Sequence, residues 1–168
     1  MQVQGYVVEP ELTVYMVKPK DTTYIYQALH AFTECAMKNK YCAQFYSEKS
    51  AEEAMKVMAV MRCLAAFLYK GDIVGYVGYT IENPWWMKQE VFRELFVLCV
   101  SPNFHGFGRV AAKWMEETAK LNHIPLLETA AALPEDPQLA KNLYMKKQGF
   151  TLEYPAFVKI LKGVKDDN

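Results

Sequence analysis

The stretch Glu94 to Lys120, ELFVLCVSPNFHGFGRVAAKWMEETAK, constrains this chain more than any other part of it. It opens on a nearly unbroken apolar run, Leu95 to Val100, too short for a helix core and rich in β-formers, so it reads as a buried strand. Pro102 ends it. Gly106 and Gly108 follow, and then Val110, Ala111, Trp114, Met115 and Ala119 recur on one face of a helical period. In such a strand, glycine turn and helix start, successive backbone N–H groups converge on one point. The helix dipole adds partial positive charge there, so an anion such as a pyrophosphate is held without a lysine. A glycine turn ahead of a helix is also a common tight connection, and the rest of the chain decides between the two readings.

At 168 residues the chain reads as a single domain over 1–168, with 1–10 as a lead-in or covering arm and 163–168 as a frayed tail. Lys and Arg number 19, as do Asp and Glu, so the net charge is zero, which argues against duplex nucleic acid or an anionic membrane as partner. Cys35, Cys42, Cys63 and Cys99 show no CxxC pair and no histidine at ligand spacing. They read as buried free thiols in a reducing compartment, and no metal site is suggested. The N-terminal MQVQGYVVEP has no basic region leading into an apolar one, and no segment reaches the roughly 18 apolar residues of a membrane span, so a cytoplasmic protein is expected.

Along the chain, Leu12 to Val17 reads as a first strand that stops at Lys18-Pro19. Asp21, Thr22 and Thr23 offer an N-cap to a helix over 21–38, and Ser47 or Ser50 offers another to AEEAMKVMAVMRCLA. Leu64 to Tyr69 and Ile73 to Glu82 read as strands joined by a hairpin turn at Lys70-Gly71-Asp72. Asn83-Pro84-Trp85-Trp86 breaks the second of these. After the central unit, Leu121-Asn122-His123 closes the helix and Ile124 to Ala132 is a strand candidate. A helix then runs to about Gln148, followed by strands at Phe150 to Glu153 and Phe157 to Leu161. The order is β-α-α-β-β-β-α-β-α-β-β. Hairpins mixed with crossovers imply an α/β (α+β) fold, a central mixed sheet with helices on both faces.

That order, with its glycine turn after the fourth strand, resembles the GNAT acetyltransferase superfamily over nearly the whole chain. The family signature is Val-x-Pro, then Arg or Gln, then x-x-Gly-x-Gly/Ala. Val100-Ser101-Pro102 matches, and the remainder falls on His105-Gly106-Phe107-Gly108-Arg109-Val110, with His105 in place of Arg or Gln and Val110 in place of the small last residue. A register two residues earlier puts Asn103, Gly106 and Gly108 in the defining places with a shorter loop. Asn142 to Phe150, NLYMKKQGF, is similar to the helix-then-strand segment that ends the cofactor site, and Lys146 to Thr151 looks most like the histone-directed branch. In that branch a glutamate stands six residues before the valine, which here is Glu94.

The resemblance implies acetyl-CoA as co-substrate and N-acetyl transfer to an amine by direct attack in a ternary complex. Its cofactor site falls on Leu98, Cys99 and Val100, which would pair with the pantetheine arm, and on His105, Gly106, Phe107, Gly108, Arg109 and Val110 at the phosphates. A lysine acceptor is neutral only about one part in a thousand at pH 7, so a base is needed. Glu94, a partly desolvated carboxylate at the start of an apolar strand, is the candidate. It reads equally as an edge glutamate paired with Arg93 or Lys88, and Glu128 is the understudy. Tyr144 is the candidate general acid, although family tyrosines stand one place later, where Met145 is. That shift turns a helical side chain by about 100 degrees. Cys99 reads as a packed core thiol. Trp85 and Trp86, with Tyr41 in the loop from Asn39 to Ser47, are expected to bind the acceptor. The tryptophans read also as a dimer contact or a lid on the core. The alternative to an enzyme is a non-catalytic GNAT-fold module that binds an acyl-CoA or a protein partner. Other α/β nucleotide-binding folds want a βαβ repeat, which the hairpins oppose.

Overall fold

A computed structural model of the protein describes residues 11–39, 42–129 and 145. The elements in order are β1 (Leu12–Met16), α1 (Thr22–Lys38), α2 (Cys42–Phe45), α3 (Glu48–Met61), β2 (Leu64–Tyr69), β3 (Asp72–Glu82), β4 (Val91–Cys99), α4 (Phe107–Leu121) and β5 (Leu126–Glu128). The strands form one sheet in the order β1-β2-β3-β4-β5, antiparallel throughout except for the parallel pair β4–β5. This is the mixed sheet expected from the sequence. The helix ending near Gln148 and the two final strands, like the arm and the tail, lie outside the described residues.

Period-two alternation along β2 sends Ala65 and Phe67 into the core under α4, and Leu64 and Ala66 into a second core under α1 and α3. Helices therefore cover both faces. On α4, Phe107, Ala111, Trp114, Met115, Thr118 and Ala119 are buried, the stripe a 3.6-residue period requires. The Trp114 ring meets Phe67 at 5.3 Å and Tyr79 at 5.7 Å. His123 stops the helix in a left-handed conformation (φ 58°). Its N–H donates to the Lys120 carbonyl (3.0 Å), and that of Ile124 to Ala119 (2.9 Å), satisfying carbonyls the helix end leaves over.

Lys70 and Gly71 both have positive φ, 54° and 92°, the two-residue turn whose twist matches an antiparallel hairpin. Ser47 caps α3, accepting from the Ser50 N–H at 3.3 Å. Asp21 does not cap α1 with its side chain. Its Oδ2 turns back to accept from Tyr15 Oη (2.6 Å) and from the Lys18 N–H (2.9 Å), fastening the strand-to-helix turn.

Three expectations are corrected. The loop after α1 holds an added turn of helix, α2. The fourth strand begins at Val91, four residues before the apolar run, because Arg93 and Glu94 interrupt the apolar pattern without interrupting the ladder. None of the four cysteines forms a disulfide and none is fully buried, and Cys99 is exposed. Among the described residues, no helix is long and apolar enough to cross a membrane.

Candidate active site

The site is built where β4 changes character. Its register against β3 steps between Gly78 and Tyr79: Gly78 pairs with Phe96, and Tyr79 with Glu94, so Leu95 is one residue extra. This bulge reverses the alternation. Phe92 faces the α4 core whereas Phe96 and Leu98 face the α1–α3 core, which a regular strand could not do. β5 pairs with Val91, Phe92 and Arg93 and its ladder ends there. From Glu94 upward, β4 has no strand on its β5 side among the described residues.

Glu94 is the next residue along β4 after the described ladder with β5, and it is 4% exposed. Its Oε2 accepts from the Thr129 hydroxyl at 2.5 Å. It is not an edge glutamate paired in solvent with Arg93 or Lys88. The Arg93 guanidinium is held by Glu82 and by Glu128, whose Oε2 is 2.5 Å from Nε. Glu128, the understudy for the base, is thereby engaged in an ion pair.

The open edge leads upward to the glycine turn. The Val100 N–H donates to the Val74 carbonyl at 3.0 Å, so Val100 is turned to β3. Alternation turns Leu98 the same way, opposite Tyr76, and leaves the backbone groups of Cys99 and Val97 facing the open edge. Of the three positions expected to pair with a pantetheine arm, only Cys99 has this aspect. Val97 has it too, and only the hydrogen-bond phase of the ladder reveals it.

Gly106 is the N-cap of α4, with φ 85° and open space where a Cβ would stand. The first bonds of the helix run from the Arg109 and Val110 N–H groups to the Gly106 carbonyl (3.0 and 3.3 Å). Those two donors are committed to the helix, and the N–H groups ahead of them are the ones it leaves for an anion. The side chains divide likewise. The Phe107 ring is buried edge-on against Phe67 at 5.2 Å, and half-buried Val110 packs on the same core. His105 and Arg109 are exposed, and Arg109 makes no ion pair among the described residues. A cap with open space above it, and, among the described residues, N–H groups without a partner and an unpaired strand edge below, fit the pyrophosphate and amide-bearing arm of a coenzyme A thioester.

The Cys99 thiol is turned into the strand-to-helix connection. It donates to the Ser101 carbonyl (3.3 Å) and lies 3.8 Å from that of Phe104, and although the residue is exposed, partial desolvation of the thiol pushes its pKa up. Trp85 and Trp86 lie in the β3–β4 turn, 90% and 60% exposed, packed edge-to-face on each other at 5.3 Å. They do not lid the core. Tyr41 and Tyr144 lie outside the described residues; Met145 is half-buried.

The same architecture occurs in solved acetyltransferase structures. A possible acetyltransferase from Clostridium difficile 630 superposes with a TM-score of 0.68 at 10% identity, covering 89% of this chain and 97% of that one. An aminoglycoside acetyltransferase from an uncultured soil metagenomic sample, in complex with trehalose, gives 0.65 at 14% identity over 92% and 99%. The ribosomal-protein-alanine N-acetyltransferase from Brucella melitensis biovar Abortus 2308 gives 0.62 at 12% identity over 89% and 99%. At such identities the likeness is one of fold. No curated protein matches the chain in sequence. The profile of the acetyltransferase (GNAT) family matches residues 25–150, and the chain belongs to that family. Acetyl transfer to amines is general for it, with acetyl-CoA as the typical donor.

Proposed function

We propose that the protein is an acetyl-CoA-dependent N-acetyltransferase that transfers acetyl directly to an amine within a ternary complex. The observation that carries this reading is the buried Glu94 carboxylate at the point where β4 parts from β5, directly below an open strand edge that leads to the glycine turn. A base and a donor groove meet there.

When bound, acetyl-CoA supplies an acetyl thioester. The N–H groups of the glycine turn, with Arg109, hold its phosphates, and Cys99 and Val97 offer backbone to the arm. Glu94 takes the ammonium proton of the acceptor, directly or through water, and the freed nitrogen forms its bond to the acetyl carbon as the carbon–sulfur bond breaks. Tyr144 gives its proton to the leaving sulfur and takes up the second proton that the acetylated nitrogen sheds, so that one proton leaves in all, through Glu94. The raised pKa of Cys99 supports direct transfer over an acyl-enzyme. The Trp85–Trp86 turn and Tyr41 bound the acceptor side. The similarity of Lys146 to Thr151 to the histone-directed branch supports a protein lysine as the amine. Four cysteines outside any disulfide support a reducing, cytoplasmic setting.

Calorimetric titration with acetyl-CoA and CoA tests the donor site. Micromolar binding is expected, abolished in Gly108→Glu, which fills and repels the cradle. Glu94→Gln should then lower turnover by about two orders of magnitude or more and remove the acid limb of its pH profile, with acetyl-CoA affinity kept. Binding without turnover on any amine favours the non-catalytic module, for which the departures at His105 and Val110 speak.

A further inference from the structure

We infer that Thr129 is a positioning residue for this reaction: its hydroxyl fixes one oxygen of Glu94, and the Arg93–Glu128 pair sets β5 so that it can. The inference rests on the reading of Glu94 as the base. A carboxylate on a glutamate turns about a soft terminal torsion, and a buried one needs donors to stay charged. Thr129 supplies one at 2.5 Å from the first residue beyond the β5 ladder. As a β-branched residue it holds its hydroxyl on a stiff χ1.

The placement has a visible cause. Arg93 and Glu128 are register partners on adjacent strands, and their side chains close the same pairing from Nε to Oε2 at 2.5 Å. Arg93 Nη1 also reaches Glu82 on β3, so one guanidinium ties three strands in a row. One residue further on, on the opposite face by strand alternation, Glu94 and Thr129 meet. Among the described residues, the titratable neighbour across the ladder is Tyr79, opposite Glu94 on β3. Its hydroxyl donates to the Arg62 carbonyl (3.0 Å), and burial pushes its pKa up, so it stays neutral. Thr129 thus opposes the effect of burial on Glu94. A hydrogen bond to the charged form favours that form, and the bonded oxygen leaves the direction of the other set.

The test compares Thr129→Val, which keeps the shape and removes the donor, with Thr129→Ser, which keeps the donor. Should the valine not fold, Thr129→Ala removes the same hydroxyl. Glu94 is titrated in each purified protein by carboxyl carbon NMR, its signal assigned by its loss in Glu94→Gln. Turnover with an amine is followed against pH, and acetyl-CoA affinity by calorimetry. In the valine protein the Glu94 titration should rise by about one pH unit and kcat fall about tenfold, with the acid limb of the rate profile moved equally and acetyl-CoA affinity unchanged. The serine protein should return both to within about threefold of the wild type. An unmoved titration in the valine protein, or a serine protein that behaves like the valine one, overturns the inference whatever the turnover. A moved titration with no turnover in any protein instead breaks the catalytic reading of Glu94 and leaves the contact standing.

Discussion

Between Val91 and Arg93, β4 is paired on both sides, to β3 and to β5, and Phe92 lies stacked on Tyr79 at 4.5 Å. Between Leu95 and Cys99 it is paired to β3 alone among the described residues, and the ladder leads out to a glycine turn. One nine-residue strand thus has a lower half whose polar groups are spent on the fold and an upper half with some of them unpaired among the described residues. The bulge at Leu95 divides the two, and Glu94 stands at the division. Stability and donor binding should therefore respond to different substitutions; two of them probe how far the separation holds, and a third, placed outside both halves, is the control.

The largest effect belongs to the lower half. Phe92→Ala removes a ring packed on Tyr79 and Trp114, and should cost about 3–5 kcal/mol in urea unfolding. The protein that remains folded should bind acetyl-CoA with wild-type affinity, and a parallel loss of affinity would erase the distinction between the halves. Next comes Gly75→Ala on β3. A Cβ there would stand 2.6 Å from the Leu98 carbonyl and against the Phe107 ring, so the upper half of β4 and the first turn of α4 must both shift. The expected cost is about 1–3 kcal/mol, and here acetyl-CoA affinity should fall as well. Calorimetry showing intact binding would mean that the cradle does not depend on this packing.

The smallest effect lies away from both halves. Tyr15 donates to Asp21, and that hydrogen bond holds the Asp21 pKa below its ordinary value. A carboxylate with a depressed folded-state pKa adds stability above its unfolded pKa of about 3.9, and the gain is lost as pH falls through the lowered folded value. Tyr15→Phe should therefore destabilise by no more than about 1 kcal/mol at neutral pH, given the solvent screening at this turn, and by less once Asp21 is protonated. A deficit undiminished at acid pH would show that the hydroxyl does not act through the Asp21 charge.

The sequence displayed most of this architecture because the features that define it are local. The two-residue hairpin at Lys70-Gly71, the period of α4 and its stop at His123 each announce themselves within a few residues. The bulge does not. Even with the strand begun at Val91, regular alternation would set Phe92, Phe96 and Leu98 on one face, and only pairing with β3 shows that Leu95 is supernumerary. The same blindness put Leu98 and Val100, not Val97, at the open edge, since hydrogen-bond phase leaves no trace in side-chain identity. Nothing in the strand candidate Ile124 to Ala132 marks Thr129 as the partner of a residue 35 positions earlier. Trp85 and Trp86 were ambiguous for a different reason: an aromatic pair beside a proline has the same composition whether it closes a core or faces water.

The three tryptophans of the chain end up in two optical environments. Trp114 is sealed in an aromatic cage, while Trp85 and Trp86 stand in water at the end of the β3–β4 hairpin. A charged quencher such as iodide should extinguish the red-emitting pair and spare the blue-emitting core residue. The unmodified protein therefore carries two gauges in one emission spectrum. The quenchable component reports whatever docks at the turn, and the protected one reports whether α4 is still seated on the sheet.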